Sequence, residues 1–308
     1  MLSILPRMVN SMFMANRSRA LPMLEIIFAA VIWGATFVAT KIALQEVSPA
    51  TIVWLRFGMG VVVLGAAVIL RNEFAIPRRS EWPHLALLGF IGVAFHQWLQ
   101  ANGLITAQAT TTAWIVATIP VFIALLSWIV LKERFGWIRA GGIALSALGV
   151  LLIISHGNLN ALFTGKEGTI GDVLILISAP NWAVYTILSR RELSRHPAAR
   201  MMFYVMLSGW LFTNIWIFGF GPGLSEIVHL TVKGWMAILM LGILGSGLAY
   251  IAYYDALQIL PASQLGVFLN IEPLVTTLLA ASLLGEPITL TVILAGGIII
   301  TGIYLVNR

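Results

Sequence analysis

Apolar runs of about 18 to 24 residues follow one another along almost the whole chain, each long enough to cross a bilayer's roughly 30 Å hydrocarbon core as a helix. They fall near residues 24–44, 50–70, 83–104, 109–131, 137–154, 171–189, 201–220, 235–256, 262–284 and 290–306. A backbone in hydrocarbon must satisfy its own hydrogen bonds, so these runs point to a bundle of ten transmembrane helices. Charge agrees: only 10% of the 308 residues are charged, against about 25% in soluble domains. The expectation is an all-α integral membrane protein. There is no cysteine, which excludes disulfides, thiolate catalysis and cysteine-based metal sites. Residues 1–23 lack the pattern of a cleaved signal peptide and are expected to form a short, partly disordered cytoplasmic arm.

The second constraint is an internal repeat. Trp82/Trp235, Gly89/Gly242, Gly92/Gly245, Ala109/Ala262, Pro120/Pro273 and Glu133/Glu286 all pair at an offset of 153. Trp33/Trp182, Thr36/Tyr185, Thr40/Ser189 and Lys41/Arg190 pair at 149, and Pro49/Pro197 at 148. Each half then holds five spans. Five is odd, so the two halves must enter the membrane in opposite orientations, as two inverted five-helix repeats, which usually hold a substrate where they meet. The repeats occupy 24–156 and 171–308, with 157–170 as the linker.

The net charge of +6 does not call for nucleic acid. Fourteen of the eighteen Lys and Arg residues lie in alternate connections on one side of the spans. The positive-inside rule places both termini in the cytoplasm.

Several short motifs recur in order through the chain. They are Trp33-Gly34-Ala35-Thr36-Phe37, Pro49 with Arg56, Lys132-Glu133-Arg134 before Gly141 and Gly149, and Gly285-Glu286-Pro287 before Gly296, Gly297 and Gly302. Together they resemble the ten-helix, EamA-type transporters of the drug/metabolite transporter superfamily, and within it the YddG-like amino-acid exporters. The resemblance covers spans one to ten. It implies a basket of helices around a central cavity, with helices five and ten at the back, alternating access between the halves, and export from a bacterial cell across its inner membrane.

Candidate site residues follow from polar groups where hydrocarbon forbids idle ones. His96, Gln97 and Gln100 share one helix face and must turn inward. Interhelical hydrogen bonding alone would need fewer such groups. Ser263, Gly266, Asn270, Pro273 and Thr277 form a stripe of span nine, with Asn270 a candidate substrate contact. Glu272, on another face, suits a coupling carboxylate, a ligand for a substrate amine, or the partner of a buried base. Trp33, Trp114, Trp182 and Tyr185 would accept an apolar side chain, although aromatic stripes also form ordinary cores. Lys41 and Arg56 are candidate charge partners or an outer gate. Arg190 is expected to snorkel to the interface, and Glu133 and Glu286 to be structural. Pro120 and Pro273 are expected to bend their helices.

No enzyme signature is present. Gly245-Ser246-Gly247 follows Leu244, so it is not a nucleophile elbow, and neither a P-loop nor HExxH occurs. The reading is therefore a secondary transporter, without cofactor or metal. It would export small organic metabolites, most of all amino acids including aromatic ones. Export of hydrophobic cationic drugs, with Glu272 as counter-charge, is the alternative. An intramembrane lipid-modifying enzyme, with only His96 and Glu272 to work with, is a weaker one, and a passive channel a third.

Overall fold

The computed structural model describes residues 5–131, 136–159, 168–193, 195–260, 265 and 268–307. Among them every regular element is helical. In chain order these are α1 (Leu5–Ala43), α2 (Pro49–Leu70), α3 (Trp82–Gly89), a π-helical segment (Phe90–Phe95), α4 (His96–Thr106), α5 (Ala109–Val116) and α6 (Ile119–Leu131). Then come α7 (Trp137–Ile154), α8 (Ile170–Leu193), α9 (Ala198–Gly219), a short turn of 3₁₀ helix (Ile227–His229), α10 (Val232–Leu239), a second π-helical segment (Met240–Leu248), α11 (Ala249–Ile259), α12 (Ile271–Leu284) and α13 (Leu290–Val306).

Seven helical stretches among the described residues are long and apolar enough to cross a membrane. Ile271–Leu284 and Leu290–Val306 are apolar but shorter. The stretch 82–106 is helical throughout, yet His84, His96, Gln97, Gln100 and Asn102 make it the most polar of the expected spans. Residues 5–23, expected as a partly disordered arm, are instead helical and continuous with the first span, Pro22 included. Their Met, Leu, Ala and Arg are good helix formers. Glu133, Ser263 and Gly266, and the side chain of Arg190, lie outside the described residues.

The helix ends are set locally. Ser48 caps α2 by accepting from the Thr51 N–H, and Pro49 opens the helix where its missing N–H costs nothing. Thr231 and Thr289 cap α10 and α13 in the same way. Gly285, at φ 70°, closes α12 in the left-handed conformation that favours glycine.

The two prolines do not bend continuous helices. The chain breaks at 117–118 and again at 270, and Pro120 and Pro273 fall in the first turn of the helices that restart there, α6 and α12. A first-turn N–H has no intrahelical partner to lose, so these are the positions that tolerate proline.

Packing exchanges partners between the two sequence repeats. Helix α1 packs on α10, α11 and α12, while α8 packs on α4, α5 and α6. Helices α7 and α13 lie against each other. A Cβ on Gly149 would meet Ile299 and the Ala295 carbonyl, and one on Gly302 would meet Ser146 and the Gly142 carbonyl. Adding 153 to 142, 146 and 149 gives 295, 299 and 302, so the contact is its own mirror in sequence. Only glycine lets these backbones come so close. Gly297 on the same helix faces open space. Gly302→Leu is therefore expected to destabilise the protein by about 1–3 kcal/mol through overpacking, and Gly297→Leu to leave it unchanged. Thermal unfolding of the two variants in the same detergent checks both.

Candidate functional site

Arg56 stands in the second turn of α2 and is only 6% exposed. Its Nε donates to Ser246 Oγ at 3.1 Å and its Nη1 to Gln97 Oε1 at 3.0 Å. Both partners are neutral. Among the described residues no carboxylate pairs with it. A guanidinium cannot shed its proton, and leaving a charge buried without a counter-ion costs several kcal/mol. Such a group is the leading mark of function inside a membrane protein.

Arg56 lines a narrow cavity of about 10 Å³ with Thr36, Thr40, Gln97 and Gln100. That is room for about one water. In this conformation the site is closed around its polar groups.

Both π-helical segments aim residues at this region. The first ends where His96, Gln97 and Gln100 begin α4; the second holds Ser246 and ends where Tyr250 and Tyr253 begin a face of α11. Positions 97 and 250, and 100 and 253, again differ by 153. A π turn shifts the register of the residues after it and is frequent at functional sites. Each segment is also a close-packing point. Gly92 lies against the Tyr185 ring and Gly245 against Thr36, two contacts that join opposite repeats.

The other expected residues separate into groups. His96 is buried against Trp182, with ring centroids 4.7 Å apart, and its Nδ1 has no hydrogen-bond partner. Trp182 continues to Tyr185 at 4.8 Å, and the Tyr185 and Tyr254 hydroxyls are 3.1 Å apart. Trp33 donates Nε1 to the Gly245 carbonyl at 3.0 Å and packs on Tyr250 and Tyr253. Glu272 lies in the first turn of α12, its backbone pressed against Gly34 of α1. No basic side chain pairs with its carboxylate among the described residues. Asn270 is half-buried at the break before α12, and its side chain makes no cap there.

Trp114 goes elsewhere. Its ring packs against Gly296 of α13, in a core cluster that also holds Phe37 and Leu104, and it does not itself line the Arg56 cavity. Lys41 is half-buried and donates Nζ to the Leu104 carbonyl at 3.0 Å, beside an open crevice. Ser246 was not singled out as a ligand in the sequence. Its one signal was a small polar residue inside a glycine-rich apolar run.

At the end of the bundle poor in basic residues, three carboxylates reach across between the sequence repeats. Glu286 accepts from the Ala109 and Thr110 N–H groups at 2.8 and 3.0 Å and so caps α5. Glu226 accepts from Ser48 and Thr51 at the start of α2, and Glu46 from Thr231 at the start of α10. Each negative charge sits at a positive helix end. The basic-rich end is tied by Arg71 to Asp255 at 2.7 Å and by His196 to Glu81 at 3.4 Å.

Comparison with known proteins now decides the family. The model of the EamA-like transporter family matches residues 21–155 and again 169–308. This chain belongs to that family, within the drug/metabolite transporter superfamily. An uncharacterized transporter of Archaeoglobus fulgidus is 31% identical over 274 residues, covering 89% of this chain and 93% of its own. A protein of Streptantibioticus cattleyicolor named as a probable terminal-alkyne amino-acid exporter is 25% identical and aligns over 92% of both chains. A solved crystal structure superposes with a TM-score of 0.68 at 21% identity, over 94% of this chain and 98% of the other, which shows a shared fold. The chain is a membrane transporter and not an enzyme.

The carboxylate caps carry a pH signature. Hydrogen bonds from Thr231 hold Glu46 below its ordinary 4.5. At Glu226 burial pushes upward, but the bonds from Thr51 and Ser48 outweigh it and the net shift is also downward. A depressed carboxyl stabilises the fold above its unfolded value and loses that contribution as pH falls through the folded one. Thermal stability is thus expected to be flat from about pH 8 to 5.5 and to fall below about pH 4.5. Glu226→Gln should make that acid fall shallower, read as melting temperature against pH.

Proposed function

We propose that this transporter exports small organic metabolites, in the first place amino acids including aromatic ones, by alternating access across a bacterial inner membrane. The observation that carries the reading is Arg56, a buried guanidinium with only neutral partners at the central cavity. A substrate carboxylate would complete it bidentately. Gln97 and Gln100 flank that position. His96, Asn270 and the pair Trp182–Tyr185 would meet the rest of the molecule as the cavity opens, with Trp33 behind Tyr250 and Tyr253. Glu272 is the coupling or ammonium-binding acid. Trp114 would act through the packing of α13.

The wider architecture is proposed with it. Ten helices form two inverted repeats, 24–156 and 171–308, joined by 157–170 after an arm at 1–23, with both termini in the cytoplasm. Three observations support this. The family model matches twice, the contacts of α1 and α8 and of Gly149 and Gly302 exchange between the repeats, and the basic residues gather on one side. The named amino-acid exporter among the relatives supports the substrate class.

Two experiments test the reading. In liposomes loaded with one amino acid, labelled phenylalanine and threonine are expected to accumulate by counterflow without a pH gradient. Arg56→Gln should cut that flux at least about 100-fold, the loss expected when a buried charge-assisted contact is removed. Counterflow of hydrophobic cations instead, abolished by Glu272→Gln and untouched by Arg56→Gln, would establish the cationic alternative. The chain has no native cysteine, so orientation is directly readable. A cysteine at exposed Ser225 should react with an impermeant maleimide from outside the cell, and one at exposed Arg78 only after permeabilisation.

A further inference from the structure

The central cavity, at about 10 Å³, is too small for an amino acid, but a second one is not. An open crevice of about 450 Å³ lies where the ends of α1, α4 and α12 meet. Its size falls within the range of small-molecule sites. Its walls combine the aliphatic Leu44, Ile105 and Leu283 with the polar Lys41, Gln45 and Glu286. Leu104 lines both cavities, so they lie end to end along α1, with Thr36 and Thr40 on one side of it and Lys41 on the other.

Lys41 is held ready rather than used up. One of its three donors goes to the Leu104 carbonyl at 3.0 Å, and no carboxylate among the described residues lies in ion-pair contact with it. Glu286 lines the same crevice. Glu286 spends one bond per oxygen on α5, and each oxygen keeps further acceptor capacity. A cation, an acid and an aliphatic wall at one end of the path match a zwitterion with an apolar side chain.

We propose that this crevice is a second, outer substrate subsite. Lys41 receives the carboxylate of an amphipathic amino acid there, Glu286 faces its ammonium group, and Leu104 separates it from the Arg56 cavity. The two cations then hand the carboxylate across Leu104, from Arg56 to Lys41 during export. The proposal rests on the amino-acid reading above.

The test is equilibrium binding of labelled phenylalanine to the purified full-length protein. Arg56→Gln should retain one binding component. Adding Lys41→Met should weaken it by about tenfold or more, and adding Lys41→Arg should largely keep it. Leu283→Trp, which fills the crevice from its exposed side and leaves Lys41 in place, should cause the same loss if Lys41→Met does not fold. In competition, 3-phenylpropanoate, which lacks the ammonium, should be at least about tenfold weaker than phenylalanine. The subsite is overturned if wild-type protein performs counterflow but no binding survives Arg56→Gln. It is equally overturned if the Lys41 and Leu283 variants bind as Arg56→Gln alone. Phenylpropanoate competing as well as phenylalanine would overturn the zwitterion assignment. Wild-type protein that neither binds nor exchanges any amino acid would instead sink the amino-acid reading itself.

Discussion

Hydrocarbon offers no hydrogen bonds, and wherever this chain departs from continuous helix a polar partner must be found within the protein. Much of what joins the two repeats answers that demand. The first turn of α5 opens with N–H groups that nothing in its own repeat satisfies, and Glu286 supplies both acceptors from the other. Glu226 does the same for α2 and Glu46 for α10. These caps hold the repeats together at one end without closing the middle. An ordinary apolar interface would give adhesion there but no directional contact that could be released and remade.

The middle is organised by opposite means. Two π-helical segments, each holding a glycine pressed on the first helix of the other repeat, turn Gln97, Gln100 and Ser246 towards Arg56. The guanidinium is solvated by an amide and a hydroxyl, which stabilise it far less than a carboxylate would. The cluster is complete enough to persist and incomplete enough to want a ligand. Two-part sites of this kind, where broken or irregular helices meet at the junction of repeats, suit transporters because the irregular backbone faces a cavity and not lipid.

Much of this was legible in the residues. The inward polar face of His96, Gln97 and Gln100 is buried as its spacing required. Trp114 shows the limit. Its place in an aromatic stripe fits a ligand wall and a core equally well, and its packing on Gly296, 182 residues away, could not be read from the stripe. Pro120 and Pro273 were readable as interruptions, but whether a proline kinks a helix or starts one depends on where the preceding turn ends. Ser246 was invisible as a partner because a lone serine gains meaning only from the guanidinium it faces.

What the sequence by itself determined is the solvent, the helical class and the duplication, because hydropathy, charge placement and repeated residues are properties of single positions and their spacing. The tertiary structure alone decided which polar groups meet. Arg56 finds Gln97 and Ser246, Lys41 finds the Leu104 carbonyl, and Glu286 finds the start of α5. Each of these contacts joins segments far apart along the chain, and two of the four cross between the repeats. Their register depends on close glycine approaches and π turns, which no local pattern along one helix encodes.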